Sequence, residues 1–238
     1  MKATIEYGKI EEGIILNYYF FMQIFWKGQS CFQIIATPNK NSQIKIVIDP
    51  FSEDIGLRVP KLEADVLLVS HNHYDHNNVK AVSGSPFLIS GPGEYEIKGV
   101  FVQGVSSFHD NSQGKERGQN TIYSLEVEDI RICHLGDLGQ NELTEDQLEK
   151  IGDVDVLLVP VGGEATISAK EAVKIMAQIE PKITIPMHYQ IPKLKLKFDG
   201  VDKLLKSLGL KTIAPQDKLT IKKKDISSEE AKIIVLQP

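Results

Sequence analysis

The stretch that decides the fold is Val66-Leu67-Leu68-Val69-Ser70, followed directly by His71-Asn72-His73-Tyr74-Asp75-His76. Its apolar first half is typical of a strand that is buried on both faces. Its second half places three imidazoles and a carboxylate within six residues. Such crowded groups lose solvation and leave lone pairs unused unless a cation binds them. The stretch therefore predicts a metal site at the end of a buried strand, and a polar surface turn is the alternative interpretation.

The spacing within this motif indicates two metal positions. His71 and His73 are two residues apart, so in extended backbone their side chains project to the same side. Asp75 and His76 follow where we expect the chain to turn into a helix, and they can face a second point. We therefore expect two adjacent divalent cations.

Three further candidate ligands each follow a predicted strand. They are His109 after residues 100–105, Asp137 after residues 131–133 and His188 after residues 183–185. In open α/β sheets, sites form at the carboxyl ends of strands, so this shared placement predicts that the three residues join the motif. The alternatives are a surface-loop histidine, a turn aspartate and a buried core histidine. His134 lies on a strand itself, and we expect it to support the site or the core.

Composition and charge limit the classes of function. The chain has 238 residues, with 27 Lys plus Arg against 32 Asp plus Glu, which gives a formal net charge of -5. This acidic balance disfavours nucleic acid as a partner. Cys31 and Cys133 cannot form a disulfide framework, which favours a reducing, cytoplasmic setting. The apolar run 14–26 contains Asn17 and Gln23 and lacks a positive leader, so we expect neither a membrane span nor a signal peptide.

The rest of the chain interleaves short strands with helices, which predicts the α/β class. We expect a β-hairpin made of residues 23–26 and 31–36. Thr144 to Gln147 and Ser168 to Glu171 have the form of capping boxes, and each predicts the start of a helix.

Two regular patterns in the sequence lead to further structural predictions. Asp65 to Val69 recurs as Asp155 to Val159, which predicts two similar halves packed as a sandwich of two sheets with helices outside. Lys193, Lys195 and Lys197 alternate with apolar residues, which predicts a half-buried strand. Its lysines would form a solvated edge or attract an anionic substrate to the nearby His188.

These residues resemble the metallo-β-lactamase superfamily of metal-dependent hydrolases. The resemblance rests on the His-x-His-x-Asp-His pattern and on the later Gly-Asp and strand-end histidine, and it extends from about Met22 to the last strands. The chain looks most similar to the branch that contains L-ascorbate-6-phosphate lactonase. The phrases that carry this similarity are Gly28 to Phe32, Ile48 to Phe51, Gly136 to Gly139, Pro160 to Gly163 and Pro186 to Tyr189.

The resemblance implies a four-layer αβ/βα sandwich, with residues 22–238 as a single metallo-hydrolase domain and residues 1–21 as an extension of unknown role. In that fold one metal is held by His71, His73 and His109, the other by Asp75, His76 and His188, and Asp137 bridges both. The branch has a histidine in its first hairpin where this chain has Gln29.

The sequence thus predicts a hydrolase in which two divalent cations share a hydroxide that cleaves an ester or lactone bond. Zinc is favoured, and manganese or iron is compatible with the ligands. Asp75 and Asp137 are the expected catalytic carboxylates, and Tyr189 and His134 are candidates for the general acid. The expected substrate is a small polar molecule, with or without a phosphate group, and a homo-oligomer is compatible with the sequence. The alternatives are a phosphodiesterase acting on nucleotides or nucleic-acid ends and a non-catalytic, metal-stabilised scaffold.

Overall fold

The computed structural model describes residues 7–9, 14–16, 21–39, 42–226 and 230–238. Within them, the strands in chain order are β1 (Tyr7–Lys9), β2 (Ile14–Leu16), β3 (Met22–Trp26), β4 (Phe32–Asn39), β5 (Ser42–Ile48), β6 (Leu62–Glu63), β7 (Val66–Leu68), β8 (Val82–Ser83), β9 (Phe87–Ile89), β10 (Gly93–Ile97), β11 (Val100–Phe108), β12 (Gln119–Val127), β13 (Ile130–His134), β14 (Val156–Pro160), β15 (Ile183–Met187), β16 (Leu219–Ile221) and β17 (Lys232–Ile233). The α-helices are α1 (Glu145–Ile151), α2 (Ala169–Ile179) and α3 (Asp202–Ser207), and short 3-10 turns span Glu53–Ile55, Val79–Ala81 and Lys223–Asp225.

Two large mixed sheets form the centre of the fold. Their strand orders are β16-β3-β4-β5-β7-β9 and β10-β11-β12-β13-β14-β15-β17. Strands β5, β7 and β9 run parallel to one another, as do β13, β14, β15 and β17, and the other neighbours in both sheets are antiparallel. Buried residues from both sheets and all three α-helices belong to one hydrophobic core. This arrangement confirms the predicted layered α/β sandwich.

The predicted internal repeat marks equivalent places in the two sheets. The carboxylate of Asp65 before β7 accepts a hydrogen bond from the backbone N–H of Lys45, at 2.9 Å. Asp155 before β14 accepts one from the backbone N–H of Arg131, also at 2.9 Å. Each aspartate thus fixes its apolar strand against the preceding parallel neighbour, β5 in one sheet and β13 in the other. The repeat of five residues therefore reflects a repeated strand arrangement.

The end of β7 is tied to the opposite sheet, and this tie positions the motif that follows. The hydroxyl of Tyr123 in β12 donates to the backbone oxygen of Val69, at 2.9 Å. The backbone N–H of Thr121, in the same strand, donates to the backbone oxygen of Ser70, also at 2.9 Å. The histidine motif therefore starts from a point that is held by both sheets.

Most predicted elements are confirmed. Strands β3 and β4 pair as the expected hairpin. Helix α1 begins after Thr144 and α2 after Ser168, and both have capping boxes. After the motif, however, the chain forms turns and the 3-10 segment Val79–Ala81 instead of the expected helix.

The predicted strand at the alternating lysines is wrong. Lys193 has a left-handed backbone with φ of 72°. The N–H of Lys195 donates to the backbone oxygen of Ile55, and the N–H of Phe198 donates to the side chain of Gln190. The segment therefore has turns where a strand was expected, although its three lysines are exposed and Leu194 between them is buried, as the alternation indicates.

The expected extension over residues 1–21 lies largely outside the described residues. Its described parts are the antiparallel pair of β1 and β2 and residue Phe21. The division into this extension and one domain from residue 22 stays a prediction. Among the described helices, none combines the length and the apolar character needed to cross a membrane.

Candidate metal centre

The structure brings all seven predicted ligands together beyond the ends of four strands. The motif follows β7, His109 follows β11, Asp137 follows β13 and His188 follows β15. The ligand atoms fall into two groups, and within each group they lie within 4.8 Å of one another. The three-histidine group contains His71, His73 and His109, and the mixed group contains Asp75, His76, Asp137 and His188.

Asp137 lies between the two groups. Its Oδ2 atom is 3.1 Å from Nε2 of His76 and 3.1 Å from Nε2 of His188, both in the mixed group. The same oxygen is 3.5 Å from Nε2 of His109 in the three-histidine group. One carboxylate oxygen therefore reaches ligands of both groups, as a bridging residue must.

The three-histidine group is tightly packed. Nε2 of His71 lies 3.1 Å from Nδ1 of His73, and the rings of His71 and His109 have centroids 4.7 Å apart. Burial, together with the positive charge of His76, lowers the pKa of His71 to about 3. The His71 imidazole is therefore neutral at physiological pH, which is the form that binds a metal ion.

The mixed group contains a buried ion pair. Burial alone would lower the pKa of His76, but the charge of Asp137 and hydrogen bonds with Asp137, Asp49 and Asp75 outweigh it and raise this pKa well above its usual value. Burial alone would raise the pKa of Asp137, but the neighbouring His188 and His76 hold it well below the usual range. A proton on His76 therefore balances the carboxylates, and a cation would take over that role.

The donor atoms around Asp137 fit a metal ion. Nε2 of His76, Nε2 of His109 and Nε2 of His188 all lie within 3.5 Å of its Oδ2 atom, and all four side chains are buried. Imidazoles and a carboxylate that are crowded together away from water are costly unless a cation binds them. The ligands are imidazoles and carboxylates without thiolates, which suits zinc and is also compatible with manganese or iron.

Asp49 supports both groups, a role that the sequence did not predict. It is fully buried, and its carboxylate accepts hydrogen bonds from Ser70 N at 2.7 Å, Ser70 Oγ at 2.6 Å and His76 Nδ1 at 3.0 Å. Ser70 Oγ also lies 2.9 Å from Nδ1 of His71. Because a hydrogen bond at Nδ1 fixes the ring and leaves Nε2 for a metal, Asp49 orients one ligand of each group. Burial opposes ionisation of Asp49, but the hydrogen bond from His76 outweighs it and lowers the carboxyl pKa.

Gln29, where the resembling branch has a histidine, lies against the mixed group. Its Nε2 atom is 2.9 Å from Oδ2 of Asp75 and 2.8 Å from Nε2 of His188. The next residue, Ser30, donates from Oγ to Oδ1 of Asp137, at 3.2 Å. The turn of the first hairpin therefore contacts three candidate ligands, contacts that local sequence does not indicate.

The side chains of His134 and Tyr189 form hydrogen bonds with backbone groups. The N–H of Gly136 donates to Nδ1 of His134 at 3.0 Å, so the other ring nitrogen carries the proton and faces the backbone oxygen of Ser30 at 2.9 Å. These contacts agree with the expected supporting role of His134. The hydroxyl of Tyr189 donates to the backbone oxygen of Leu236. A general-acid role for either residue stays a prediction.

Two glycines allow the backbone to approach the ligands closely. A Cβ atom on Gly139 would lie 2.3 Å from the carbonyl carbon of His109. A Cβ atom on Gly162 would lie 2.1 Å from the backbone oxygen of His188. Any side chain at either position would therefore displace a candidate ligand.

A cleft of about 420 Å³ opens beside the three-histidine group. We call it the entrance cleft, and its walls are formed by residues 70–73, residues 90–92, Arg117 to Gln119 and Thr121. His71 and His73 line it, whereas all four members of the mixed group lie outside its lining and are buried. A molecule in the cleft would therefore meet the three-histidine group first.

Comparison with known proteins agrees with the fold and identifies the family. Residues 23–188 match the family described as the beta-lactamase superfamily domain. The chain therefore belongs to the metallo-β-lactamase superfamily.

Within it, the chain belongs to the UPF0173 family. It is 31% identical over 191 residues to a UPF0173 protein of Pyrococcus abyssi, a match that covers 71% of this chain and 83% of the relative. It is 28% identical over 197 residues to a UPF0173 metal-dependent hydrolase of Thermoplasma volcanium, with the same shares covered. A crystal structure from Thermotoga maritima, described as a candidate Zn-dependent hydrolase of this superfamily, is similar with a TM-score of 0.72 and 37% identity. That similarity covers 90% of this chain and 98% of the other.

Proposed function

We propose that this protein is a hydrolase that holds two divalent cations, one in the three-histidine group and one in the mixed group. The observation that carries this proposal is the position of Asp137. Its Oδ2 atom lies within 3.5 Å of imidazoles from both groups. A purely structural metal site usually closes one ion with four ligands, so six ligand-type side chains around a shared carboxylate favour a two-metal catalytic site.

When bound, two such cations activate water at neutral pH and polarise the carbonyl or phosphoryl oxygen that is attacked. The protein's own contribution is to fix the ligands. Asp49 holds the rings of His76 and, through Ser70, His71. We assign Asp137 the role of bridging the two groups and Asp75 the role of orienting the attacking water. Asp75 and Asp137 are therefore the proposed catalytic carboxylates.

The proposed substrate is a small polar molecule with an ester or lactone bond. The volume of the entrance cleft, about 420 Å³, is in the usual range for small-molecule pockets. The net charge of -5 disfavours a nucleic-acid polymer. Membership of the lactonase-like branch, zinc as the native ion, the cytoplasmic setting and any homo-oligomer stay predictions.

The test begins with metal-depleted full-length protein that is reloaded separately with Zn²⁺, Mn²⁺ or Fe²⁺. Bound metal is measured by mass spectrometry, and hydrolysis is measured on 4-nitrophenyl acetate, γ-butyrolactone and bis(4-nitrophenyl) phosphate. We expect close to two ions per chain and hydrolysis of the ester or the lactone. A preference for the phosphodiester would favour the alternative phosphodiesterase. One tightly bound ion, with hydrolysis of none of the three compounds, would contradict the proposal and favour a non-catalytic scaffold.

The matched variants are His73→Ala and Lys80→Ala. His73 is a proposed ligand, and its loss should remove hydrolysis and lower the bound metal. Lys80 is exposed in the 3-10 segment that follows the motif, so its variant should keep both. Full activity in His73→Ala would refute the ligand assignment.

A further inference from the structure

The entrance cleft has an uneven distribution of charge. Apart from the two histidines, its lining consists of small, polar or apolar side chains and Arg117. Arg117 is therefore the lining residue with a permanent charge, in a protein whose formal net charge is -5. Lys193, Lys195 and Lys197, which the sequence suggested as attractors of an anionic substrate, do not line this cleft.

The Arg117 guanidinium has few partners within the protein. Among the described residues it makes no ion pair, and its hydrogen bond is a long contact of 3.4 Å to the backbone oxygen of Glu164. The side chain is exposed at the cleft. Its planar donors are thus available to an external acceptor, and a guanidinium is suited to two parallel hydrogen bonds with a carboxylate or a phosphate.

The backbone that presents Arg117 is fixed by a buried carboxylate. Asp110 is 7% exposed, and it accepts hydrogen bonds of 2.7 to 3.0 Å from four backbone N–H groups, those of Ser112, Gly114, Glu116 and Arg117. This loop directly follows the candidate ligand His109, and its last residue, Gly118, accepts a hydrogen bond from the N–H of His109. The position of Arg117 is therefore coupled to that of the metal centre.

We propose that Arg117 binds an anionic oxygen group of the substrate, a carboxylate or a phosphate, while the bond to be cleaved lies at the histidines. The inference rests on the proposed function, because that function makes the ligand of this cleft a substrate. It adds the class of substrate, which is a small ester or lactone that carries a separate anionic group. Arg117 is thus a specificity-determining residue.

The test is calorimetric titration of the full chain with inorganic phosphate, with succinate and with neutral succinamide, both metal-free and zinc-loaded. We expect the wild type to bind one or both anions and not succinamide. The anion that binds identifies the group, phosphate or carboxylate. Arg117→Gln should weaken this binding about 10- to 100-fold, because it removes charge-assisted hydrogen bonds. Arg117→Lys should bind with intermediate affinity, since it keeps the charge but loses the planar donors.

Lys115→Gln is the matched control. Lys115 lies in the same loop and carries the same charge, but it does not line the cleft. Its variant should bind the anions as the wild type does. If neither anion binds, or if Arg117→Gln binds as tightly as the wild type, the proposal is overturned. Anion binding that needs zinc and ignores Arg117 also overturns it, because the ions alone then hold the anion.

Hydrolysis of 4-nitrophenyl acetate and γ-butyrolactone by the wild type and Lys115→Gln, measured in parallel, separates this inference from the proposed function. Anion binding that depends on Arg117, without hydrolysis, would support the Arg117 site and contradict the hydrolase. Hydrolysis without such binding would contradict the Arg117 site and leave the hydrolase intact.

Discussion

The buried carboxylate of Asp49 should control metal affinity although it is not itself a proposed ligand. It accepts three hydrogen bonds, two of them at Oδ2, from Ser70 Oγ and His76 Nδ1. In Asp49→Asn an NH₂ group replaces one oxygen, so at least one of these donors loses its acceptor. The rings of His76 and His71 are then less well fixed for metal binding.

The size of the effect follows from these contacts. A hydrogen bond to a charged group contributes about 1.5–3 kcal/mol. Loss of the partner of a metal-binding histidine lowers metal affinity about 10- to 100-fold, which corresponds to about 1.4–2.7 kcal/mol. We therefore expect Asp49→Asn to raise the Kd for Zn²⁺ by this factor while keeping the fold.

The assay is competition for Zn²⁺ with a chromogenic chelator of known affinity, together with thermal unfolding of the metal-free protein. Asp155→Asn is the control, because Asp155 accepts from the backbone N–H of Arg131 and from Lys223 Nζ, away from the site. Its variant should lose stability without losing metal affinity. Equal Zn²⁺ affinity in Asp49→Asn and the wild type would refute the reasoning, as would an equal loss in Asp155→Asn.

Two further predictions concern the ligands directly. Gly139→Ala would place a Cβ atom 2.3 Å from the carbonyl carbon of His109, so we expect a loss of stability of about 1–3 kcal/mol and a lower metal content. The control is Gly209→Ala, where φ is 69° and the Cβ atom would meet open space. This control should lose about 1 kcal/mol of stability through backbone strain and keep the metal. The pKa of His76 is raised above 6.5, so its proton stabilises the metal-free protein fully below about pH 6.5, and this stabilisation is lost as the pH rises through the raised pKa. Zinc binding at pH 7 should displace this proton, so metal affinity should rise with pH. Calorimetry in buffers of different ionisation enthalpy should therefore show proton release. A binding enthalpy that is independent of the buffer would contradict this prediction.

The sequence was sufficient to predict the gathering of the seven candidate side chains. Strand ends can be recognised locally, for example from the apolar run Val66 to Val69. Ligand-type residues directly after β11, β13 and β15 converge because these strands end at the same edge of one sheet. The motif follows β7 in the other sheet, so its approach to them depends on how the two sheets pack. The supporting residues could not be predicted in this way. The contacts of Gln29 with Asp75 and His188 join parts of the chain that are 46 and 159 residues apart, and only tertiary packing creates them.

The wrong strand at Lys193 to Lys197 has a related cause. Alternating burial indicates which side chains face the core, and the structure agrees on that point. A strand also needs a neighbouring backbone to pair with, and here the N–H of Lys195 bonds to the end of a 3-10 turn instead. Arg117 is a similar case, because its place in the cleft depends on a loop that folds around Asp110.

The measurement that tests the central claim most directly is an anomalous difference map from crystals of the zinc-loaded protein, recorded on both sides of the zinc edge. The account predicts two peaks, one among His71, His73 and His109 and one among Asp75, His76 and His188, with Asp137 between them. A single peak, or peaks away from these side chains, would contradict it.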